Sequence, residues 1–571
     1  MLKATLAASA ATAALALTAG TAQAATFTVV NANDTGPGSL RSALNSAEST
    51  GTADVIKFEI PGPGPHVITP SFPLPTLTNP VKIRGYSEPG ATPATATSSA
   101  VIKIAIDAVN VARGLDIGGD EIEVRGLNIR RAQAAGIYVE GSDNVIAGNH
   151  IGTNAPGTVA RPNGDYGVHV FAENNMIGGP DAKDRNVIAS NGLAEVLVEG
   201  GSHVIEGNRI GSTADGRSAL GALVGVRLES DGNVVRDNLI VGENNGVQVE
   251  ADDNVLAGNL IGNDGATAIP NFIGANVIGG DDNVIGAGNV ISGNEAAGLQ
   301  LTNIAGDPAL GNRVLDNLIG TNATGDKPVP NGTANALAGV VVFDSAKNRL
   351  EGNVIAGNLG DGVHLDGADR NVLNGNWIGT DRTATLDLGN SESGVDVEGS
   401  ENRISDGTSN TIMFNHHDGV TVTSGTGNAI LANSIAQNDQ LGIDLGADGP
   451  TPNDNLDGDA GPNDLQNGPE IVSASAASVD WTLHSVPLTQ FRLDFYANDA
   501  CDPSGSGEAQ THLGSTVVTT NANGNVSGST PVAAGLGVAV AMTATRLQPL
   551  PLGLPPAPRS TSELSPCELS A

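Results

Sequence analysis

The sequence predicts an all-β protein, a parallel β-helix followed by a small antiparallel β-sandwich. Three observations lead to this fold class. A strand phrase of the form glycine-apolar-x-apolar recurs, as at Gly362, Gly394 and Gly419, and an asparagine-x-isoleucine phrase recurs between its copies, as at Asn317 and Asn376. The 571 residues include 76 glycines but only 3% aromatic residues, a composition typical of short strands joined by sharp corners. One such coil cannot bury its own apolar positions, so the coils must stack on each other.

The spacing of the coils supports this prediction. Equivalent positions at His364, Asp396, Thr421 and Asp444 are 32, 25 and 23 residues apart. A period just above twenty that lengthens by insertion fits a parallel β-helix. The longest insertions share one place, between an asparagine phrase and the next glycine phrase, so we expect them to form a wall beside the sheet; they are residues 151–167, 210–225, 261–274, 319–339 and 378–394.

The start of the chain predicts export. Lys3, an apolar run from Leu6 to Ala19 and the small-x-small end at Ala24 are typical of a secretory signal, and the run is too short to span a bilayer. We expect a secreted, extracellular monomer without a transmembrane segment, with the periplasm as the alternative compartment. The predicted division is 1–24 signal peptide, 25–100 N-terminal cap and first coils, 101–446 β-helix, 447–470 acidic loop and linker, and 471–571 β-sandwich.

The segment after the signal has the pattern of a solenoid cap. We predict a short amphipathic helix near Ser39–Ala47, because a helix can cover the apolar end of the first coil. The predicted strands around it are Thr26–Val30, Val55–Ile60, His66–Thr69 and Val81–Arg84.

Net charge and cysteine content limit the possible partners and the possible compartment. The formal net charge is −35, which argues against nucleic acid as a partner and disfavours polyanionic substrates unless cations bridge them. Cys501 and Cys567 are the two cysteines, and in an exported chain they predict one disulfide across the terminal domain. Closing that loop is expected to stabilise the domain by about 4 kcal/mol.

The asparagines of the recurring phrase are predicted to be structural. Each could adopt a left-handed bend and pair its amide with the asparagine of the next coil, which would build an internal ladder. The predicted members are Asn149, Asn208, Asn238, Asn259, Asn317, Asn376 and Asn433.

The coils resemble the right-handed parallel β-helix superfamily of pectate lyases, polygalacturonases and polyuronate epimerases. NDTGPGSLRSAL near the start, GIDLG followed by DG, PND and LQN, and the closing motifs ANDACDPSGSGEAQ and TSELSPC resemble a group of exported bacterial β-helix repeat proteins. The resemblance covers essentially the whole chain after the signal. It implies a right-handed solenoid and export, and it implies no particular reaction.

Alternation within each strand places one residue per coil on the outer face of the sheet. Stacking at about 4.8 Å then brings His364, Asp366, Asp396 and Glu398 into one patch. Neighbouring acids raise each other's pKa, so this patch is the candidate catalytic site, with His364 as a proton carrier. A glycoside hydrolase needs such paired carboxylates, and stacked acids could also hold Ca²⁺. The alternative is a solvated face whose repeat prefers acids.

Other outward residues are candidates for substrate binding. Tyr138, Phe171 and Phe343 could stack on sugar rings, and Tyr138 with His169 is the start of an epimerase-like pair. A lyase of the resembled superfamily uses arginine or lysine as base, and Arg227 is the single candidate in this column.

An acidic loop is the candidate metal site. Asp454, Asp457, Asp459 and Asp464 lie two to five residues apart in a Gly- and Asn-rich segment, a pattern that suits Ca²⁺. Such turns also form by hydrogen bonding alone.

Three functions follow in order. The first is binding of an extended polysaccharide or cell-surface glycan along the sheet face. The second is a polysaccharide-active enzyme, a hydrolase before a lyase or epimerase, and the third is a passive structural or adhesive rod.

Overall fold

The chain winds into a right-handed parallel β-helix built of three long parallel sheets. The computed structural model describes residues 24–332, 338–501, 505–535, 537–548 and 557–571, so the predicted signal peptide lies outside the described residues except for Ala24. Successive coils add strands to sheets that we call A, B and C, with 15, 14 and 13 strands. The predicted fold class is confirmed.

The strands of the three sheets are two to six residues long. Those of sheet A are Thr26–Val29, Asp54–Phe58, Val81–Arg84, Glu123–Arg125, Val145–Ala147, Met176–Gly178, Val204–Glu206, Val234–Arg236, Val255–Ala257, Val284–Gly286, Arg313–Leu315, Arg349–Glu351, Val372–Asn374, Arg403–Ile404 and Ala429–Ile430. Those of sheet B are His66–Ile68, Ile104–Asp107, Leu127–Arg130, His150–Ile151, Val187–Ile188, Arg209–Ile210, Leu239–Ile240, Leu260–Ile261, Val290–Ile291, Leu318–Ile319, Val354–Ile355, Trp377–Ile378, Thr411–Met413 and Ser434–Ala436. Those of sheet C are Arg113–Ile117, Ala135–Val139, Tyr166–Val170, Ala194–Val198, Val224–Leu228, Asn245–Val249, Ile273–Ile278, Ala297–Thr302, Val340–Phe343, Val363–Asp366, Val395–Glu398, Val420–Ser424 and Ile443–Leu445.

The N-terminal helix Leu40–Glu48 covers the first coils, as predicted. The Ser39 side chain accepts a hydrogen bond from the Ser42 N–H and so satisfies one of the free donors at the helix start. Leu40 and Leu44 are fully buried and belong to the same apolar core as the solenoid interior. The helix therefore shields the core where no earlier coil exists. Short 3₁₀ turns occur at Gly85–Ser87, Ala182–Asp184 and Pro462–Leu465.

The interior combines apolar rows with asparagine ladders. The predicted ladder is present: the Asn149 N–H donates to Asn186 Oδ1 at 2.9 Å, and the Asn186 amide donates to the Ile146 carbonyl at 2.7 Å. Four members were missed although each stands in an asparagine-x-isoleucine phrase: Asn186, Asn289, Asn353 and Asn410. The complete ladder is Asn149, Asn186, Asn208, Asn238, Asn259, Asn289, Asn317, Asn353, Asn376, Asn410 and Asn433.

The left-handed bend lies one residue earlier than predicted. Gly148 and Asp316, which precede asparagines of this ladder, have φ of 68° and 51°, whereas none of the eleven asparagines of this ladder has a positive φ. The bend turns the chain, and the asparagine that follows can then direct its amide along the stack.

Two further ladders were not predicted. One contains a histidine, and its members are Asn144, Asn175, His203, Asn233, Asn254, Asn283, Asn312, Asn348, Asn371, Asn402, Asn428 and Asn463. The other is interrupted after its second member and consists of Asn163, Asn191, then Glu243, Asn271, Asn294, Asn331, Asn358, Asn390, Asn415 and Asn438.

The long insertions begin with small hairpins that cover sheet B. Bridges such as Thr153↔Ala160 and Thr321↔Pro328 close these hairpins. Arg209, on the outward side of a sheet B strand, donates to the Ala214 carbonyl of its hairpin, and consecutive hairpins stack through the bond from the Ala214 N–H to the Gly157 carbonyl. The described wall therefore lies over sheet B, not beside the glycine-phrase strands of sheet C.

The C-terminal region forms the predicted β-sandwich. Its sheets contain Glu470–Ala474, Ser478–His484 and Asn525–Pro531 on one side, and Gln490–Asn498, Thr511–Thr519, Ala539–Gln548, Ala557–Thr561 and Glu568–Leu569 on the other. Trp481, Phe491 and Phe495 are buried between them in one core. The predicted disulfide between Cys501 and Cys567 is present.

The sandwich closes the last coil of the solenoid. Ile435 pairs with Ala509 through two backbone hydrogen bonds of 2.9 Å. Asn463 extends an asparagine ladder beyond Asn428 and donates to the Thr561 carbonyl at 2.8 Å. Among the described residues, no helix has the length and apolar character needed to cross a membrane.

Candidate functional site

The outward residues of sheet C stack in a column, as predicted. The strand register pairs His364 with Asp396 and Val341 with His364, which fixes the predicted neighbours. Two members were missed from the sequence, Asp116 and Asn276, although both stand in a glycine-apolar-x-apolar phrase. The column is Asp116, Tyr138, His169, Leu197, Arg227, Gln248, Asn276, Gln300, Val341, His364, Asp396, Thr421 and Asp444.

Near its amino-terminal end this face has a cluster of rings, which we call the aromatic patch: Tyr138, Tyr166, His169 and Phe171. The His169 ring centroid lies 4.3 Å from that of Phe171 and 4.7 Å from that of Tyr166. The Tyr138 and Phe171 centroids are 5.1 Å apart, and the Arg113 guanidinium lies 3.2 Å from the Tyr138 centroid. Three of the predicted substrate-binding residues are therefore in contact with one another.

The basic side chains His169 and Arg227 near this patch are already in contact with carboxylates. His169 Nε2 lies 2.6 Å from Glu199 Oε2. Arg227 contacts Glu250 at 3.0 Å and Glu229 at 2.7 Å, and these carboxylates oppose the effect of its burial and raise its pKa. Arg227 is therefore held in ion pairs that keep it protonated. A base that abstracts a proton must first lose its own proton, so these ion pairs oppose that role for Arg227. Phe343, the remaining predicted binding residue, is 41% exposed and stacks between Thr302 and Asp366.

Toward its carboxyl-terminal end sheet C borders a cavity of about 750 Å³, which we call the acid–histidine pocket. Its lining includes Asp361, His364, Glu392, Asp396, His417 and Asp418, and no lysine or arginine is among the described lining residues. One donor atom from each of Asp361, His364 and Asp396 lies within 4.8 Å of the other two.

His364 is the centre of this pocket. Its Nδ1 lies 3.9 Å from Asp361 Oδ2, and its Nε2 lies 3.8 Å from Asp396 Oδ2 and 3.4 Å from Glu398 Oε1. Nε2 is buried and makes no hydrogen bond within the described part of the chain. Asp366 stacks beside Glu398 in the neighbouring column and does not line the cavity. Of the four predicted catalytic residues, the structure therefore brings His364, Asp396 and Glu398 together, with Asp366 at the margin.

Burial dominates the acidity of the pocket. It raises the pKa of Asp361 to about 7, with a further contribution from the Asp396 carboxylate. It also raises the pKa of Asp396, where His364 acts in the opposite direction and Glu398 adds to the rise. The pKa of Asp418 is raised by burial and by Asp444. Several carboxyl groups thus share a space with too little positive charge to balance them.

Asp361 and Asp418 were missed from the sequence. Both directly precede the glycine of a glycine phrase, and each accepts a backbone N–H from the next coil, Asp361 from Ser393 at 2.9 Å and Asp418 from Leu441 at 2.8 Å. The signal that could have found them is the recurrence of Asp-Gly-Val at residues 361–363 and 418–420.

The acidic loop places three of its four predicted ligands together. Donor atoms of Asp454, Asp457 and Asp459 lie within 4.8 Å of one another. The Asp457 carboxylate accepts from the Asn467 N–H and the Ser485 hydroxyl, and burial followed by its acidic neighbours raises its pKa. Asp464 lies elsewhere, because its carboxylate accepts from Ser560 of the sandwich. Calcium binding by this loop stays a prediction.

Comparison with known proteins gives one family match. Residues 329–447, about a fifth of the chain, match a family profile described as periplasmic copper-binding protein (NosD). No curated protein matches the chain.

Similar solved structures include a Dettilon tailspike protein, which is 15% identical, with 89% of this chain and 74% of that chain covered and a TM-score of 0.36. They also include an alginate lyase from Paenibacillus, at 17% identity, 58% and 94% coverage and a TM-score of 0.34. A third is the A-module of the mannuronan C-5 epimerase AlgE4 from Azotobacter vinelandii, at 15% identity, 73% and 95% coverage and a TM-score of 0.32.

Proposed function

We propose that the protein is exported and binds an extended polysaccharide along the outer face of sheet C. The observation that carries this proposal is the aromatic patch. Tyr138 from one coil and His169 with Phe171 from the next coil lie in ring contact on an outer sheet face. Rings on a rigid scaffold offer large apolar contact area at little entropic cost, which suits stacking against the apolar faces of sugars.

The dimensions of the face suit a polymer. Thirteen strands spaced at about 4.8 Å give a face about 58 Å long. The aromatic patch lies near one end of this face and the acid–histidine pocket near the other, so a chain bound to the rings has a straight path toward the acids.

The charge of the face favours a neutral glycan. Glu199 contacts His169 Nε2, and Glu229 with Glu250 neutralises Arg227, so these basic side chains are not available to a polyanion. A polyanionic chain would meet the carboxylates of the pocket without a compensating cation. The Cys501–Cys567 disulfide supports an oxidising compartment, in agreement with the predicted signal peptide.

The experiment is retention of the protein on a panel of immobilised neutral and acidic polysaccharides. The double variant Tyr138→Ala with Phe171→Ala should lose retention on the glycan that holds the parent protein. Phe72→Ala is the matched control, because Phe72 is 50% exposed but lies outside sheet C. Unchanged retention of the double variant would refute the proposal.

The same samples separate binding from catalysis. New reducing ends or unsaturated uronate absorbance that disappear in Asp396→Asn would show that the protein is an enzyme. If the parent protein shows neither retention nor turnover, the passive rod is the remaining function.

A second candidate function, copper binding, is favoured by the family match over residues 329–447. This segment contains one methionine, Met413, and no cysteine, so it offers only one of the sulfur ligands that cuprous copper prefers. Imidazole and carboxylate groups within it would suit the cupric state. Copper retained by the parent chain after gel filtration in a competing chelator would support this candidate.

A further inference from the structure

We propose that Asp361, His364 and Asp396 bind one divalent transition-metal ion in the acid–histidine pocket. This assignment rests on the second candidate function and deepens it, because it names the ligands. It does not depend on whether sheet C binds a glycan.

The spacing of the donor atoms is the first argument. Two ligand atoms bound to one ion at about 2.0–2.2 Å lie about 3–4 Å from each other. His364 Nε2 lies 3.8 Å from Asp396 Oδ2, and one donor atom from each of Asp361, His364 and Asp396 lies within 4.8 Å of the other two. The 3.8 Å separation exceeds hydrogen-bond length, so His364 and Asp396 are held together without bonding each other directly.

The second argument is the unsatisfied imidazole nitrogen. A buried nitrogen without a partner costs free energy, and Nε2 of His364 is such an atom within the described structure. We assign Nε2 as the ligand atom, since it faces Asp396 Oδ2 and has Glu398 Oε1 at 3.4 Å as a further oxygen donor.

The negative charge of the pocket also favours a bound cation. Asp361, Glu392, Asp396 and Asp418 line the cavity, and the described lining residues include two histidines but neither lysine nor arginine. A bound divalent cation would supply the positive charge that these carboxylates lack.

The donor set defines the class of ion. Ca²⁺ and Mg²⁺ take oxygen ligands, whereas an imidazole nitrogen with carboxylate oxygens suits Zn²⁺, Co²⁺ or Cu²⁺. The cavity has room for water or a substrate group to complete the coordination.

The test uses the full chain after the signal, freed of metal and dialysed against Zn²⁺ or Cu²⁺ at known free concentration. The parent protein should retain one ion, and His364→Gln and Asp396→Asn should each weaken its affinity by more than about 100-fold. Co²⁺ added to the parent protein should give a visible absorption band that is absent from both variants.

Two variants serve as controls. His417→Gln removes an imidazole of the same cavity that is already paired with Glu392 at 3.0 Å, so it should leave affinity unchanged. Asp454→Asn should also bind normally, which excludes the acidic loop as the measured site. Far-UV circular dichroism establishes that every variant is folded, and Asp361→Asn replaces any variant that is not.

The outcomes are distinguishable. Retention of one ion by the parent, lost in His364→Gln and kept in His417→Gln, supports the assignment. Equal affinity in folded His364→Gln overturns the assigned ligands but leaves metal binding by the chain intact. No ion retained by the parent overturns both this inference and the second candidate function.

Discussion

The inside and the outside of the solenoid use their repeats in opposite ways. In the ladder that contains Asn317, asparagine occupies every position from Asn149 to Asn433. In the outward column of sheet C, neighbouring coils carry residues as different as Leu197, Arg227 and Val341.

The inward and outward positions differ because hydrogen bonding restricts the residue type inside the solenoid and does not restrict it on the outer face. A ladder position must satisfy the backbone donor of one coil and the carbonyl of another, and asparagine offers both an acceptor and two donors. An outward residue meets only its neighbours on the face, so each coil can differ without harm to the stack. Repetition therefore marks structure here, and departure from repetition marks the candidate sites.

The most damaging change should be loss of a central ladder residue. Asn317 is fully buried, its amide donates to the Ile285 carbonyl at 2.8 Å and to Asn353 Oδ1 at 3.0 Å, and it accepts from Asn289. Asn317→Ala leaves those partners unsatisfied, so the free energy of unfolding should fall by about 3 kcal/mol or more. Urea unfolding followed by circular dichroism measures this loss.

The matched control is the same substitution on the outside. Asn276 lies in the outward column, is 8% exposed, and its side chain makes one hydrogen bond in the described structure, an acceptance from the Thr302 hydroxyl at 3.3 Å. Asn276→Ala should cost less than about 1 kcal/mol. Equal losses in the two variants would contradict the distinction between ladder and face.

Sequence reasoning performed best where the repeat is strict. The coils, the N-terminal helix and the disulfide followed from periodicity, an amphipathic pattern and the cysteine count, because each is a local or countable signal. The predicted position of the inserted hairpins was wrong. The sequence locates an insertion between two strands, but it does not show against which sheet the insertion folds.

The site was predictable only in part. Stacking gave His364, Asp396 and Glu398, because the register follows from the repeat. Asp361 was missed, since it precedes the strand and belongs to no alternation pattern. Its neighbourhood depends on how the turn before the strand bends, which the sequence does not specify.

The interrupted ladder predicts a dependence on pH. Where the regular pattern stops, Glu195 and Glu243 are buried together and Gly221 leaves room for the Glu243 carboxyl. Burial and mutual repulsion raise the pKa of Glu195 well above its ordinary value, and burial raises that of Glu243 from 4.5 to about 8. Both carboxyl groups therefore favour the protonated form inside the solenoid.

The sign follows from proton uptake on folding. Below about pH 4.5 the folded and unfolded chains are both protonated at Glu243, and the stabilisation is fully present. It is lost as the pH rises from about 4.5 toward about 8, by up to about 1.4 kcal/mol per pH unit. Glu243→Gln should flatten this part of the stability profile, as measured by thermal unfolding from pH 5 to 8.5. An unchanged slope in the variant would rule out this pair as its source.

The smallest effect should come from a large residue on the outside. Phe343 is 41% exposed and contacts the outward neighbours Thr302 and Asp366, so it adds little to the core. Phe343→Ala should change the free energy of unfolding by less than about 0.5 kcal/mol, although the same substitution at the buried Phe58 removes a core side chain and should cost about 3 kcal/mol or more. Thermal unfolding of the two variants side by side compares them. If Phe343→Ala lowered the free energy of unfolding nearly as much as Phe58→Ala, the outward residues of sheet C would contribute to the stability of the stack. The variation of residue type among the outward positions would then need a structural explanation.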